Sequence, residues 1–507
     1  MNYFRIFRNA FFNLLSLVVA IATAFYLYPF LIKHLGESRY GVWALLGSVT
    51  GYLGIFDFGI AMAVTKYVAE YHQRNEPGKL RSVIWTGTRL YFYTSFGAVV
   101  MAGVFYGLFP LLFNLDAVLV REAKAVLLVV ALDVMFSFWF VTVRAGLEGL
   151  QRFDITNLTN ILATLFRTGI IVLLVRSGFG LMSLAVTALV INRLSELSML
   201  IGLKRELQLF SSPAQAAIPL SQIFYYSLFV FIEMVALRIF YYTDNLVIGV
   251  MLSASAITHY AAAFSLVEAV RNLTHKMMVV LMPVVSEISV EDKAISTVKL
   301  QRLFTSGSRL AGVFATPILL AMILTGKSFI AAWVGPGFED GYWCLVVLAI
   351  PQIWILSQSV GIRIIYGLAV HKNYAYYSAV ISLVNLGLSL ALARPLGILG
   401  VALGTSISIL LGRVYMNDYF RRILQIRLLP YYWNVWKRLA VLSIGSGLIL
   451  YLAFKALQPE SIFFHLLIYA GYFILFETAA LFLVLEPEEQ ALTLGLYRSW
   501  RKRDSHD

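Results

Sequence analysis

The chain has 507 residues, of which 60% are hydrophobic and 13% charged, and its mean hydropathy is +0.79. Soluble domains are about half apolar and a quarter charged, so the composition excludes an ordinary soluble protein and indicates a polytopic membrane protein. The net charge of +13 fits basic loops held against anionic lipid better than a nucleic-acid-binding surface. The single cysteine, Cys344, excludes an internal disulfide and a cysteine-rich metal site.

The N-terminus carries Arg5 and Arg8 and then an apolar run from Ala10 to about Ile32. That run is too long for the 7–15-residue core of a cleavable signal, so it is expected to stay as a first helix. Thirteen further apolar runs follow, which makes fourteen candidate spans, the last at 463–485. Runs of about 20 residues predict spanning helices, not barrel strands. The second run, 41–65, follows the polar turn Gly36–Arg39, is rich in glycine and contains Asp57. Later runs include 342–368, 374–393 and 397–420. The stretch 425–438 is basic and aromatic, as an interfacial segment or a plain loop would be.

Lys and Arg alternate in density from loop to loop. One set includes Lys66, Arg74, Lys79 and Arg81, the pair Lys204 and Arg205, the pair Arg421 and Arg422, and the tail RSWRKRD. The opposite set is nearly threefold poorer, so both termini are expected in the cytoplasm. A weak internal repeat recurs at about 217–220 residues. RSGFGLMSLAVTALV (176–190) is echoed by RPLGILGVALGTSIS (394–408), and RAGLEGLQRFD (144–154) by RIIYGLAVHKN (363–373). An even number of spans separates the copies, which predicts two six-helix halves of the same orientation.

Five stretches, RNAFFNLLS (8–16), LGESRYGVWALL (35–46), FDFGIAMAVTKYVAE (56–70), TDNLVIGVMLSASAITHYAAA (243–263) and FIAAWVGPGF (329–338), carry a family resemblance. With them the chain resembles the Wzx-type polysaccharide flippases, the O-antigen and teichoic-acid exporters of the MATE-like multidrug/oligosaccharidyl-lipid/polysaccharide superfamily. The resemblance covers nearly the whole chain and implies an all-α membrane protein of about fourteen helices. The expected parts are an N-lobe at 1–203, a linker at 204–221, a C-lobe at 222–422, an interfacial segment at 423–437, two extra helices at 438–485 and a tail at 486–507. It also implies alternating access and transfer of an undecaprenyl-pyrophosphate-linked oligosaccharide from the inner to the outer leaflet of a bacterial cytoplasmic membrane. Other polysaccharide-assembly membrane proteins are candidate partners.

Ionisable residues inside spans sharpen this. Each costs about 2.5–3.5 kcal/mol in lipid on insertion scales, so together they must face one another or an aqueous cavity. Glu268 and Arg271 are three apart on one helix and are expected to pair. Arg167, Arg193, Arg238 and Arg309 are the candidate ligands for a lipid pyrophosphate, because a guanidinium keeps its charge and presents a fork that matches phosphate. The alternative for them is snorkelling or pairing with a lipid headgroup. Asp57, Glu233 and Asp244 are candidates for ion coupling, with structural pairing as the alternative.

The sequence shows no P-loop and no HExxH, and loops 110–122 and 326–341 are too short for a catalytic domain. No enzyme activity, cofactor or metal is expected. A cation-coupled small-molecule exporter of the MATE type and a membrane enzyme of polysaccharide assembly remain the competing readings. In-span arginines at least as numerous as the acids weigh against a cavity for cationic drugs.

Overall fold

The computed structural model describes residues 3–207, 220–279, 281–289, 293–368, 370 and 372–491. Most of the expected linker at 204–221 and most of the tail at 486–507 lie outside them. The described residues are helical throughout, with no strand among them. Eleven helices are long and apolar enough to cross a bilayer, or twelve if one bent pair counts as a single span. The sequence expectation of fourteen is not matched by this count, for two physical reasons that appear below.

Packing divides the chain into two compact units. The first comprises Met1–Ala261 and Ser378–Val401, and the second Ala262–Tyr377 and Ala402–Asp507.

In the first unit, α1 (Tyr3–Leu35) ends at Gly36, whose φ of 83° is open to glycine at little cost. α2 (Glu37–Leu53) starts with Glu37 in its first turn, where a carboxylate complements the helix dipole. It runs into a 3₁₀ turn, Gly54–Asp57, and then into two left-handed residues, Phe58 (φ 49°) and Gly59 (φ 74°). α3 (Ile60–Gln73) resumes at 49° to α2. The run expected as one continuous span at 41–65 is therefore broken in its middle, since two successive left-handed residues cannot carry an α-helix. α4 (Pro77–Leu112) opens with proline in its first turn, where no backbone donor is lost. It pairs with α5 (Ala117–Gly149), and α6 (Phe153–Arg176) and α7 (Leu181–Leu207) complete the bundle. Its core gathers Val64, Val68, Tyr91, Leu147 and Leu203 from α3, α4, α5 and α7.

Two helices from the second sequence repeat begin in this unit. α8 (Leu220–Met251) packs on α2 and α3. α9 (Ala254–Val279) docks its first turns on the α1–α2 turn. There Thr258 donates its hydroxyl to the Glu37 carbonyl at 2.8 Å, Tyr28 donates to the Thr258 carbonyl at 2.5 Å, and His259 Nε2 lies 3.3 Å from Glu37 Oε2. Gly41 makes the close approach possible, because a Cβ there would stand 1.8 Å from the Ala254 carbonyl oxygen. α9 contains Glu268, Arg271 and two histidines, and it does not pass as an apolar span. That accounts for one of the two missing spans.

In the second unit, the short α10 (Met282–Ser289) leads to α11 (Lys293–Trp333), 41 residues long and the axis of the unit. It packs against α12 (Glu339–Ser357), α13 (Ser359–Gly367), α15 (Leu428–Leu457) and α16 (Ile462–Leu483). α12 and α13 divide the expected span 342–368 at Gln358. The stretch expected as a separate interfacial segment supplies, from Leu428 on, the first turns of α15. Cys344 is fully buried in α12.

α14 (Lys372–Leu424) spans 53 residues and belongs partly to each unit. At 1.5 Å per residue it would be about 80 Å long, against a hydrocarbon core of about 30 Å. It is interrupted at Gly397 (φ 62°, ψ −144°), and a Cβ on Gly400 would stand 2.0 Å from the Leu392 carbonyl oxygen, so the chain turns sharply here. The two expected spans 374–393 and 397–420 occupy its two legs, and counting them as one helix removes the second missing span.

A polar cleft and an unpaired arginine

α5, α6 and α7 carry polar side chains toward one another in the first unit. Arg193 of α7 donates from Nη2 to Asp133 Oδ1 (3.1 Å), to Ser137 Oγ (2.5 Å) and to Glu196 Oε1 (3.1 Å). Its guanidinium also lies 5.7 Å and 5.8 Å from the ring centres of Phe136 and Phe140. Asn192 bridges the network, accepting from Arg167 Nη2 at 2.5 Å and donating to Asp133 Oδ2 at 2.8 Å. Arg167 and Arg193 are thus brought together, through Asn192 and Asp133.

A cleft of about 450 Å³ opens beside this network, walled by α3, α5, α6 and α7. Ser137, Phe140, Asn160, Asn192, Ser195 and Glu196 line it, with Arg144 and Glu148 paired at 2.9 Å on its rim. Sequence reasoning named Arg193 but missed Glu196. The signal was present, since the two are three apart on an apolar helix, the spacing that identifies Glu268 and Arg271 as a pair. That pair does form, at 2.9 Å.

The seam between α2 and α8 is a second polar feature. Ser48 accepts from Asn245 at 3.0 Å, and Tyr52 shares a hydrogen bond with Thr243. Tyr242 lies against Gly51, and the Arg238 guanidinium against Gly54, where a Cβ would be 3.0 Å away. Arg238 reaches Tyr242, with its Oη at 3.4 Å and its ring centre at 5.4 Å. Among the described residues no carboxylate stands within ion-pair distance of it.

The three candidate coupling carboxylates sit in different settings. Asp57 accepts from the Tyr91 hydroxyl and, at 3.3 Å, from the Ala61 amide at the start of α3. Asp244 is buried, accepting from Tyr260 at 2.5 Å and from Ser389 at 3.4 Å. Glu233 is buried on α8. Tyr91→Phe removes the stronger donor and leaves Asp57 Oδ1 with the Ala61 amide alone, and is expected to cost about 1–3 kcal/mol, measurable as a lower unfolding temperature of the purified protein.

Arg309 stands among carboxylates. It is 3% exposed in the second unit, and its Nη1 donates to both oxygens of Glu489, at 2.9 and 2.8 Å. Its Nη2 reaches Glu486 Oε1 at 3.0 Å. A guanidinium occupied in this way by two carboxylates must give up an ion pair before its fork can meet a phosphate. The carboxylates follow the last span, in a stretch the sequence reading treated as tail.

The family model described as Polysaccharide biosynthesis protein matches residues 6–289, more than half of the chain. The chain belongs to this family. A Shigella flexneri protein named as a candidate O-antigen transporter is 20% identical to this chain over 432 residues, 82% of this chain and 98% of the relative. Among solved structures, the lipid II flippase MurJ in its inward closed conformation matches with a TM-score of 0.68 at 16% identity, covering 93% of this chain and 98% of that one. An inward-facing multidrug resistance MATE transporter of the MOP superfamily gives 0.64 at 12% identity, covering 81% and 94%. These structural likenesses establish a MurJ/MATE-like fold for the polysaccharide biosynthesis protein. MurJ and the multidrug transporters share that fold, so it does not choose between their cargoes.

Proposed function

We propose that the protein is a flippase that moves a polyprenyl-pyrophosphate-linked oligosaccharide across a bacterial cytoplasmic membrane for surface polysaccharide synthesis. The observation that carries this is Arg238, a cation on an apolar helix with no carboxylate partner among the described residues. An unpaired charge inside a membrane protein is costly, and an anionic headgroup entering from the membrane interface would offset that cost. Gly54 lets the guanidinium lie close against the helix backbone, since a Cβ there would be 3.0 Å from it. The family match and the Shigella relative support a polysaccharide cargo. A MATE-type exporter of cations would place an unpaired acid where this chain places Arg238.

The remaining expectations enter as parts of the proposal. Two six-helix lobes, at 1–203 and 222–422, alternate access, and both termini lie in the cytoplasm. Asp57, Glu233 and Asp244 are the candidates for coupling to a cation. The docking of α9 on the α1–α2 turn joins helices of the two repeats, and it is the contact that must part when that end opens.

Arg238→Ala in a strain lacking the native gene is expected to reduce surface polysaccharide by about 10–100-fold at unchanged protein level, the range of one or two lost charge-assisted hydrogen bonds. Arg238→Lys should recover only part, because a point charge lacks the bidentate fork. Full export by Arg238→Ala would remove Arg238 from the site.

A further inference from the structure

We infer that the cleft between α3, α5, α6 and α7 is a subsite for the uncharged sugars of the cargo, separate from the phosphate contact at Arg238. The inference rests on the proposed flippase reading and assigns to this cleft a different part of the same substrate. Charge argues for a neutral ligand here in place of the phosphate expected at Arg167 and Arg193. Around the cleft stand three guanidinium groups, of Arg144, Arg167 and Arg193, and three carboxylates, of Asp133, Glu148 and Glu196. Arg144 pairs with Glu148, Arg193 lies between Asp133 and Glu196, and Arg167 is tied to Asp133 through Asn192. The formal charge sums to zero.

A pyrophosphate entering this cleft would meet the Glu148 and Glu196 carboxylates on its wall, and its binding would require breaking ion pairs already made. A cationic drug could use those carboxylates only by displacing Arg144 and Arg193 from them. A neutral polyol needs neither. Its vicinal hydroxyls both donate and accept, and the wall offers both functions through Asn160, Asn192, Ser195 and the Glu196 carboxylate, with the Phe140 ring as an apolar face. The volume of about 450 Å³ falls in the range of about 300–1,000 Å³ usual for small-ligand clefts. Asn192 and Glu196 are held by hydrogen bonds spanning α5, α6 and α7, so part of the polar wall is set before a ligand arrives, which lowers the entropic cost of binding.

The test uses full-length protein in nanodiscs and two probes, undecaprenyl pyrophosphate alone and the same lipid bearing a neutral disaccharide. Asn160 and Ser195 have no part in the ion pairs, so the double variant Asn160→Ala/Ser195→Ala leaves the network standing. Ser195→Trp, which fills the cleft with bulk, is the second variant. Both are expected to weaken binding of the disaccharide lipid about tenfold, the effect of two lost neutral hydrogen bonds, with bare-lipid binding unchanged. Arg238→Ala is expected to weaken both probes alike. Equal losses on both probes, or none, in the cleft variants would overturn the sugar subsite. So would wild-type protein that binds the two probes equally, and that result leaves the phosphate reading standing. Wild-type protein that binds neither probe overturns the flippase reading and this inference with it.

Discussion

Arg309→Ala is expected to lower the stability of the purified protein by about 3–5 kcal/mol, the usual cost of removing one partner of a buried ion pair. The Glu489 carboxylate, 4% exposed at its side chain, would be left without the cation that both its oxygens accept from. Glu486 would lose its partner too, but it is more than half exposed and water can replace the contact. The effect should appear as a drop in unfolding temperature and in the amount of folded protein recovered from membranes. Arg309→Met combined with Glu489→Gln, which removes both charges, should recover much of the loss, because apolar or neutral replacement of a whole buried pair is often tolerated. The same pair of measurements separates Arg309 from Arg238: the first should lose protein, the second export alone. An Arg309→Ala protein of normal stability that fails only in export would assign Arg309 to the substrate.

The second large effect is expected at Gly41. An added Cβ would stand 1.8 Å from the carbonyl oxygen and 2.6 Å from the carbonyl carbon of Ala254. These are backbone atoms, with no flexible side chain to swing aside. Gly41→Ala must therefore push the start of α9 away from α2, straining the hydrogen bonds of Thr258 and Tyr28 that close this end. Overpacking of this kind costs about 1–3 kcal/mol or more. The loss falls on one conformation, so export is expected to fall about tenfold or more while the protein is still made. Gly47, on the same helix, has open space where its Cβ would go, and Gly47→Ala should export normally. Equal behaviour of the two variants would remove the α2–α9 contact from the transport cycle.

The all-helical membrane fold could be read from the sequence because its cause is local. Long apolar runs satisfy their own backbone only as helices in lipid. The Glu268–Arg271 pair was legible for the same reason, as helical spacing alone brings the two side chains together. The break at Phe58 and Gly59 was not. Phe58 is an ordinary apolar residue held left-handed by its surroundings, and the glycines around it are common in membrane helices. The role of Arg309 was hidden because its partners, Glu486 and Glu489, lie some 180 residues away beyond the last span. The cleft was half legible. Arg193 stood out as a charge in an apolar run, but its neutralisation by Asp133 and the bridging by Asn192 depend on α5, α6 and α7 packing together, which no spacing within one helix reveals.

The burial of Cys344 makes the native chain almost invisible to thiol reagents. A membrane-impermeant maleimide meets no accessible sulfur in the folded protein, so a cysteine introduced at an exposed turn residue such as Ser38 or Asn75 becomes the one labelled site without any prior removal of native thiols. Ser38, in the first turn of α2, and Asn75, just past the end of α3, mark the two ends of the bent pair, and labelling each from outside intact cells assigns them to a face of the membrane. The same two positions, labelled with and without cargo, would show which end of the molecule is open to water at each stage of the cycle.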